Sequence, residues 1–164
     1  MKKKFLAIMM TVLCVALAGV LAGCGSNGTT ASSSSSDSAS ANREYMSNAN
    51  TIISQLQDNL NDFSDAVAND DLVSMKAAAK KASSSIDDFE KLQPTDTLKS
   101  VHQEYTKGCD ELKEALDDYI DLYSDQKKSK LSTSEYKSRL KKIQDKYNGG
   151  VAHLKKGDEQ ATSL

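Results

Sequence analysis

Few side chains in this 164-residue chain are of types that do chemistry. There are three cysteines, Cys14, Cys24 and Cys109, and two histidines, His102 and His153. Ser32 to Ser36 supply hydroxyls, but no His or Lys stands beside them to act as a base, so they read as spacer rather than nucleophiles. A dimetal centre in a helical bundle needs Glu-x-x-His repeats. Three positions before the histidines stand Lys99 and Gly150. No Cys-x-x-Cys-His, Gly-x-Ser-x-Gly, His-Glu-x-x-His or phosphate-binding glycine loop is present. An enzyme is not expected. The residue to which chemistry is most firmly assigned is Cys24, and that follows from what precedes it.

Lys2, Lys3 and Lys4 are followed by an apolar run from Phe5 to Leu21. A basic start, a short apolar stretch and small residues before a cut site make a secretory signal. A transmembrane helix would need about 20 apolar residues. The run is shorter than that and leaves through a flexible, uncharged exit, Gly23 to Gly28. Leu21-Ala22-Gly23-Cys24 resembles the lipobox of bacterial lipoproteins. The resemblance implies recognition of Leu21, Ala22 and Gly23 by the lipoprotein signal peptidase, a thioether-linked diacylglycerol on Cys24, and cleavage before Cys24. Two acyl chains give the double anchor that stable membrane attachment requires. The expected location is the cell membrane, lipid-anchored on the extracytoplasmic face, or the outer membrane in a cell with two membranes. No cofactor is expected beyond the diacylglycerol.

Removing residues 1–23 leaves 141 residues, enough for one domain. The mature chain carries 18 basic and 23 acidic side chains, a formal charge of −5. That balance argues against nucleic acid as partner. With no Trp and one Pro, the composition suits helices rather than a β-sandwich. Cys109 is the one thiol left to the mature domain, so no internal disulfide can form, and a small buried apolar role is expected for it.

Residues 24–41 read as the lipidated Cys24 and a Ser-rich disordered linker. The stretch from Gly25 to Ala41 has one charge, Asp37, and no large apolar residue. It cannot bury enough surface to offset its ordering entropy. Seventeen flexible residues reach roughly 20–25 Å.

From Asn42 the pattern is helical. Met46, Ala49, Ile53, Leu56, Leu60, Phe63 and Val67 keep a 3-4 spacing, the period that packs helices side by side. Asn69-Asp70-Asp71 offers a stop and a new N-cap. Leu72, Met75, Ala79, Ala82, Ile86 and Phe89 form a second seam, ended by Gln93-Pro94. Thr95 or Asp96 can cap the next start. A third seam runs through Leu98, Val101, Tyr105, Cys109, Leu112, Leu116, Tyr119 and Tyr123. Residues 126–130 form the turn. Ser132 to Glu135 fits a capping box, with Leu131 and Tyr136 as its hydrophobic staple. The fourth seam holds Tyr136, Leu140, Ile143, Tyr147, Val151 and Leu154. Gly149-Gly150 interrupts it and could kink or end it, and Gly157 can close it. The expected fold is all-α, an up-down-up-down antiparallel four-helix bundle over residues 42–157, with a tail at 158–164.

The third helix carries acids at Asp110, Glu114, Asp117, Asp121 and Asp125. Lys137, Lys141, Lys142 and Lys146 stand at matching heights on the fourth, so the charges are expected to choose partner and register. A calcium site would need oxygens converging from a loop. Folding the last hairpin about residues 129–130 sets His102 opposite about 157 and His153 opposite about 106, on general helix geometry. Both then lie at the tether end, near Met46. In topology this resembles b-type cytochromes built on four-helix bundles. The resemblance implies haem between Met46 on the first helix and His153 on the fourth, with the bundle interior as a carrier site; His102 is a further candidate haem or metal ligand. Gly108 and Cys109 should face Gly149 and Gly150, giving either close helix approach or a cavity for a small apolar ligand. The leading expectation is an interaction module for a protein or cell-envelope partner. The turns bearing Asp70, Asp71, Lys127, Lys128 and Lys130 would point outward from the membrane.

Overall fold

The computed structural model describes residues 33–164, with side chains from residue 38. The leader and residues 24–32 lie outside the described residues. Four α-helices make up almost all of the rest: α1 (Ser33–Ala68), α2 (Leu72–Glu90), α3 (Lys99–Lys127) and α4 (Thr133–Thr162). A single 3-10 turn, Asp96–Leu98, leads into α3. No strand occurs among the described residues, and the fold is all-α.

The apolar seams become the core. All eight positions of the third seam are buried, as are Met75, Ala79, Ala82, Ile86 and Phe89 on α2. Ala49, Leu56, Leu60, Phe63 and Val67 are buried on α1, while Met46 and Ile53 pack at the core's edge. On α4, Ile143, Tyr147 and Leu154 are buried, and Tyr136, Leu140 and Val151 only partly so.

Two expected boundaries move. α1 begins at Ser33, inside the stretch read as unstructured spacer. No Gly or Pro lies between Ser33 and Ala68, and adding residues to an existing helix is far cheaper than starting one. At the other end, α4 runs through Gly149, Gly150 and Gly157 to Thr162, so Gly157 does not close it and residues 158–162 are helix rather than tail. None of the glycines described has a positive φ. Their role is contact, taken up below.

The helix starts follow local chemistry. Asp71 caps α2, its carboxylate accepting from the Val73 and Ser74 amides at 3.0 and 3.1 Å. Ser132 and Glu135 form the reciprocal capping box on α4, at 3.2 Å from the Glu135 amide and 2.9 Å from the Ser132 amide. Thr95 makes no side-chain cap; its hydroxyl turns to Asn42 on α1 instead.

Helices α1 and α3 end alike. Asp70 and Ser129 have φ of 58° and 55°. After α1, the Asp71 amide bonds Ala66 O at 3.0 Å and the Asp70 amide bonds Val67 O at 3.2 Å. After α3, the Lys130 amide bonds Asp125 O and the Ser129 amide bonds Gln126 O, both at 3.1 Å. These are Schellman closures, which place one residue in the left-handed region and favour glycine there. Ser129→Gly is therefore expected to stabilise the fold by about 0.5–1 kcal/mol, relief of left-handed strain outweighing glycine's added unfolded-state entropy. A rise in thermal midpoint checks this, and Ser129→Val should lower it.

Candidate functional site

The two histidines occupy different surroundings. His102 follows the fully buried Val101 on α3 and is half-buried. Its ring lies flat on Phe89 of α2, centroids 5.3 Å apart and planes 14° apart. Tyr45 of α1 meets the ring edge-on at 5.9 Å, with its hydroxyl 2.9 Å from Nδ1. Burial lowers the His102 pKa and raises that of Tyr45. Both shifts favour neutral forms, so the two groups share a hydrogen bond between uncharged partners, its direction set by the imidazole tautomer.

His153, on α4, faces acids of α3. Its Nδ1 lies 2.7 Å from Glu104 Oε2, and its Nε2 lies 3.9 Å from Glu111 Oε1. Glu104 is 7% exposed and also meets Lys156 at 3.1 Å and Lys107 at 3.5 Å. The His153 hydrogen bond, then that of Lys156, holds the Glu104 carboxyl at about 2, against an ordinary 4.5. Glu104 is thus an acceptor, and Nδ1–H of His153 is the donor.

The sign of that shift sets an acid response. A carboxyl held low in the folded chain favours folding where the unfolded chain's own group would be ionised, above about pH 4.5. The contribution fades as pH falls from there towards 2. Glu104→Gln lacks it, so thermal midpoints of wild type and variant should differ most above pH 4.5 and converge towards pH 2. Parallel curves across that window would contradict the assignment.

No hydrogen bond, ion pair or ring contact links Met46, His102 and His153 to one another. Tyr45, not its neighbour Met46, reaches His102. Met46 packs against the edge of the core. Among the described residues, no group of three or more His, Cys, Asp or Glu side chains is placed to hold a metal. Cys109 is fully buried, and burial pushes its thiol up to about 12, which keeps it protonated and unreactive.

Where small residues face one another, α3 and α4 touch. A Cβ placed on Gly108 would lie 2.8 Å from Gly150 O, and one on Gly150 would lie 2.8 Å from Gly108 O. The glycines therefore serve close backbone approach, and no cavity opens between them. A Cβ on Gly157 would meet the Tyr105 ring at 2.8 Å. That ring is held in place by its hydroxyl, which donates to Asp158 Oδ1 at 2.5 Å.

No family model, curated protein or solved structure matches the chain. The site must be read from its own geometry.

At the α1–α2 and α3–α4 turns, several expected partner-facing residues are engaged within the chain. The Tyr123 hydroxyl bonds Asp70 O at 2.9 Å as well as its carboxylate. Lys127 pairs with Asp70 and lies over the Tyr123 ring at 5.2 Å. Asp71 is committed to capping α2. Lys128 and Lys130 are exposed and form no close ion pair among the described residues, though both help to lower the Asp125 pKa. An open groove beside the first turn is lined by polar side chains, among them Asp62, Asp65 and Lys81, and by Ala66, Ala77 and Ala78.

The acidic and basic stripes of α3 and α4 meet in part. Lys146 bridges Glu114 at 2.9 Å and Asp118 at 2.8 Å, and Arg139 reaches Asp125 at 2.8 Å. Lys141 instead pairs with Asp145 on its own helix. Solvent screens such exposed pairs, so they select register more than they add stability.

Proposed function

We propose that the chain is a membrane-anchored extracytoplasmic lipoprotein that presents an up-down-up-down four-helix bundle to a protein or cell-envelope partner. The observation that carries the anchor is Leu21-Ala22-Gly23-Cys24 at the end of an apolar run behind three lysines. Among the described residues no helix is long and apolar enough to cross a membrane, so attachment in this reading falls to the lipid on Cys24.

The order of contacts supports the bundle topology. Along α3 and α4, Tyr105 meets Asp158, Asp118 meets Lys146 and Asp125 meets Arg139. Rising numbers on one helix meet falling numbers on the other. Asn59 with Ser85 and Asp62 with Lys81 follow the same rule for α1 and α2. Tyr45 with His102 and Phe63 with Tyr119 pair α1 and α3 in the same sense. In this arrangement the tethered start of α1 and the end of α4 lie at one end. The turns after α1 and α3 lie at the other, away from the membrane.

Cys24→Ser is expected to abolish incorporation of radiolabelled fatty acid and to leave uncleaved precursor. Labelling that survives the substitution refutes the anchor. Crosslinking on intact cells should then enrich a partner over an unrelated lipoprotein control, and no enrichment counts against the interaction role.

A further inference from the structure

Charge is segregated along the mature chain. Residues 127–146 carry eight basic and two acidic side chains, in a mature chain whose formal charge is −5. Part of this excess is matched inside the fold: Lys127 by Asp70, Arg139 by Asp125, Lys146 by Glu114 and Asp118, and Lys141 by Asp145. Lys128, Lys130 and Lys142 are exposed and enter none of these pairs. The one acid at the start of α4, Glu135, is turned back to the Ser132 amide and hydroxyl. The Schellman closure after α3 fixes the backbone on which Lys128 and Lys130 sit, so their spacing is set before any partner arrives.

We infer that the α3–α4 turn and the first half of α4 dock a phosphodiester polymer of the cell envelope. A lysine ammonium is a compact point charge that binds phosphate without demanding one geometry. Several on a firm turn suit a flexible repeating anion rather than a folded protein face. The choice of polymer over lipid headgroup rests on the lipoprotein reading above, which puts this turn at the end opposite the tether, out of reach of the chain's own membrane. Binding by lysines to repeating phosphates releases counterions and weakens as salt rises.

The test uses the protein in a neutral detergent and poly(glycerol phosphate) of defined length as probe, titrated at several salt concentrations. Lys128→Glu with Lys130→Glu should weaken binding by about tenfold or more and flatten the salt slope by about one per lysine. Lys76→Glu with Lys80→Glu makes the same charge change on α2 and should weaken binding far less. Lys128→Gln with Lys130→Gln should fall between. Unchanged thermal midpoints show that the exposed substitutions leave the fold intact. Equal losses from the two Glu pairs, or no binding by wild type, would overturn the docking surface. Tighter binding to the soluble lipid headgroup glycerophosphoglycerol than to polymer at equal phosphate would overturn the choice of source. The protein is used as purified from cells, and detergent covers any acyl chains, so the titration reads the turn alone, while failure of the anchor is read separately from the Cys24→Ser labelling.

Discussion

Phe89→Ala is expected to lower folding stability by about 3–5 kcal/mol, the range for deleting a fully buried aromatic ring. Phe89 is 0% exposed on the last turn of α2. It lies flat on His102 and meets Tyr105 edge-on, centroids 5.6 Å apart. One ring therefore joins α2 to α3 just where the chain turns at Gln93-Pro94. Native domains hold only about 5–15 kcal/mol in total, so this one change consumes a large part of it. A urea titration measures the loss as a lower midpoint with an unchanged slope. The same substitution uncovers one face of His102. Burial is what lowers the His102 pKa, so its NMR titration midpoint should move up towards the ordinary value. A stability loss without that movement would mean that Phe89 does not shield the imidazole.

Much of the core could be read as spacing. The third seam, from Leu98 to Tyr123, is buried at every position named from sequence, because a 3-4 repeat of large apolar groups on a helix has few other uses. The capping box at Ser132 and the cap at Asp71 were equally plain, since each satisfies amides the helix start leaves open. The facing of Gly108 and Gly150 was also expected from sequence; what escaped was the mostly polar stripe to which they belong. On α3, Glu104, Gly108, Glu111, Ala115, Asp118 and Leu122 repeat 4-3-4-3-4, a second stripe beside the first. On α4, Ile143, Lys146, Gly150, His153 and Gly157 repeat 3-4-3-4. The contacts between α3 and α4 run along these two stripes: Glu104 with His153, Gly108 with Gly150, and Asp118 with Lys146. A search for apolar period passes over them because most of their members are charged or lack a side chain. Two small residues at heptad spacing, Gly150 and Gly157, were the available signal. Tyr45 was missed for a related reason: its ring is buried while its hydroxyl needs a partner, and the partner lies on α3, fifty-seven residues away.

That second stripe makes two adjacent glycines respond in opposite directions. In Gly150→Ala, the new Cβ would sit 2.8 Å from Gly108 O and 2.8 Å from Leu112 Cγ. The carbonyl belongs to α3's backbone, so the clash is relieved only by moving one helix from the other. Overpacking of this kind costs about 1–3 kcal/mol. The change from Gly to Ala within a helix returns about 1 kcal/mol. The net expectation is a loss of about 1–2 kcal/mol and a lower thermal midpoint. Gly149→Ala places its Cβ 2.2 Å from Glu111 Oε2, with the rest of that carboxylate next nearest. This neighbour is the end of a flexible side chain, and Oε2 has no hydrogen-bond partner where it lies. Swinging it into water sacrifices no bond at that atom, so the gain in helix propensity prevails and the midpoint should rise. The pair also separates three roles for the glycines. If they formed a hinge, alanine at either position would stiffen α4 and raise the midpoint. If they lined a cavity, alanine at position 150 would fill space and stabilise. Only direct contact between α3 and α4 backbones makes Gly150→Ala destabilising while Gly149→Ala is stabilising, and thermal melts of the two variants side by side decide among the three.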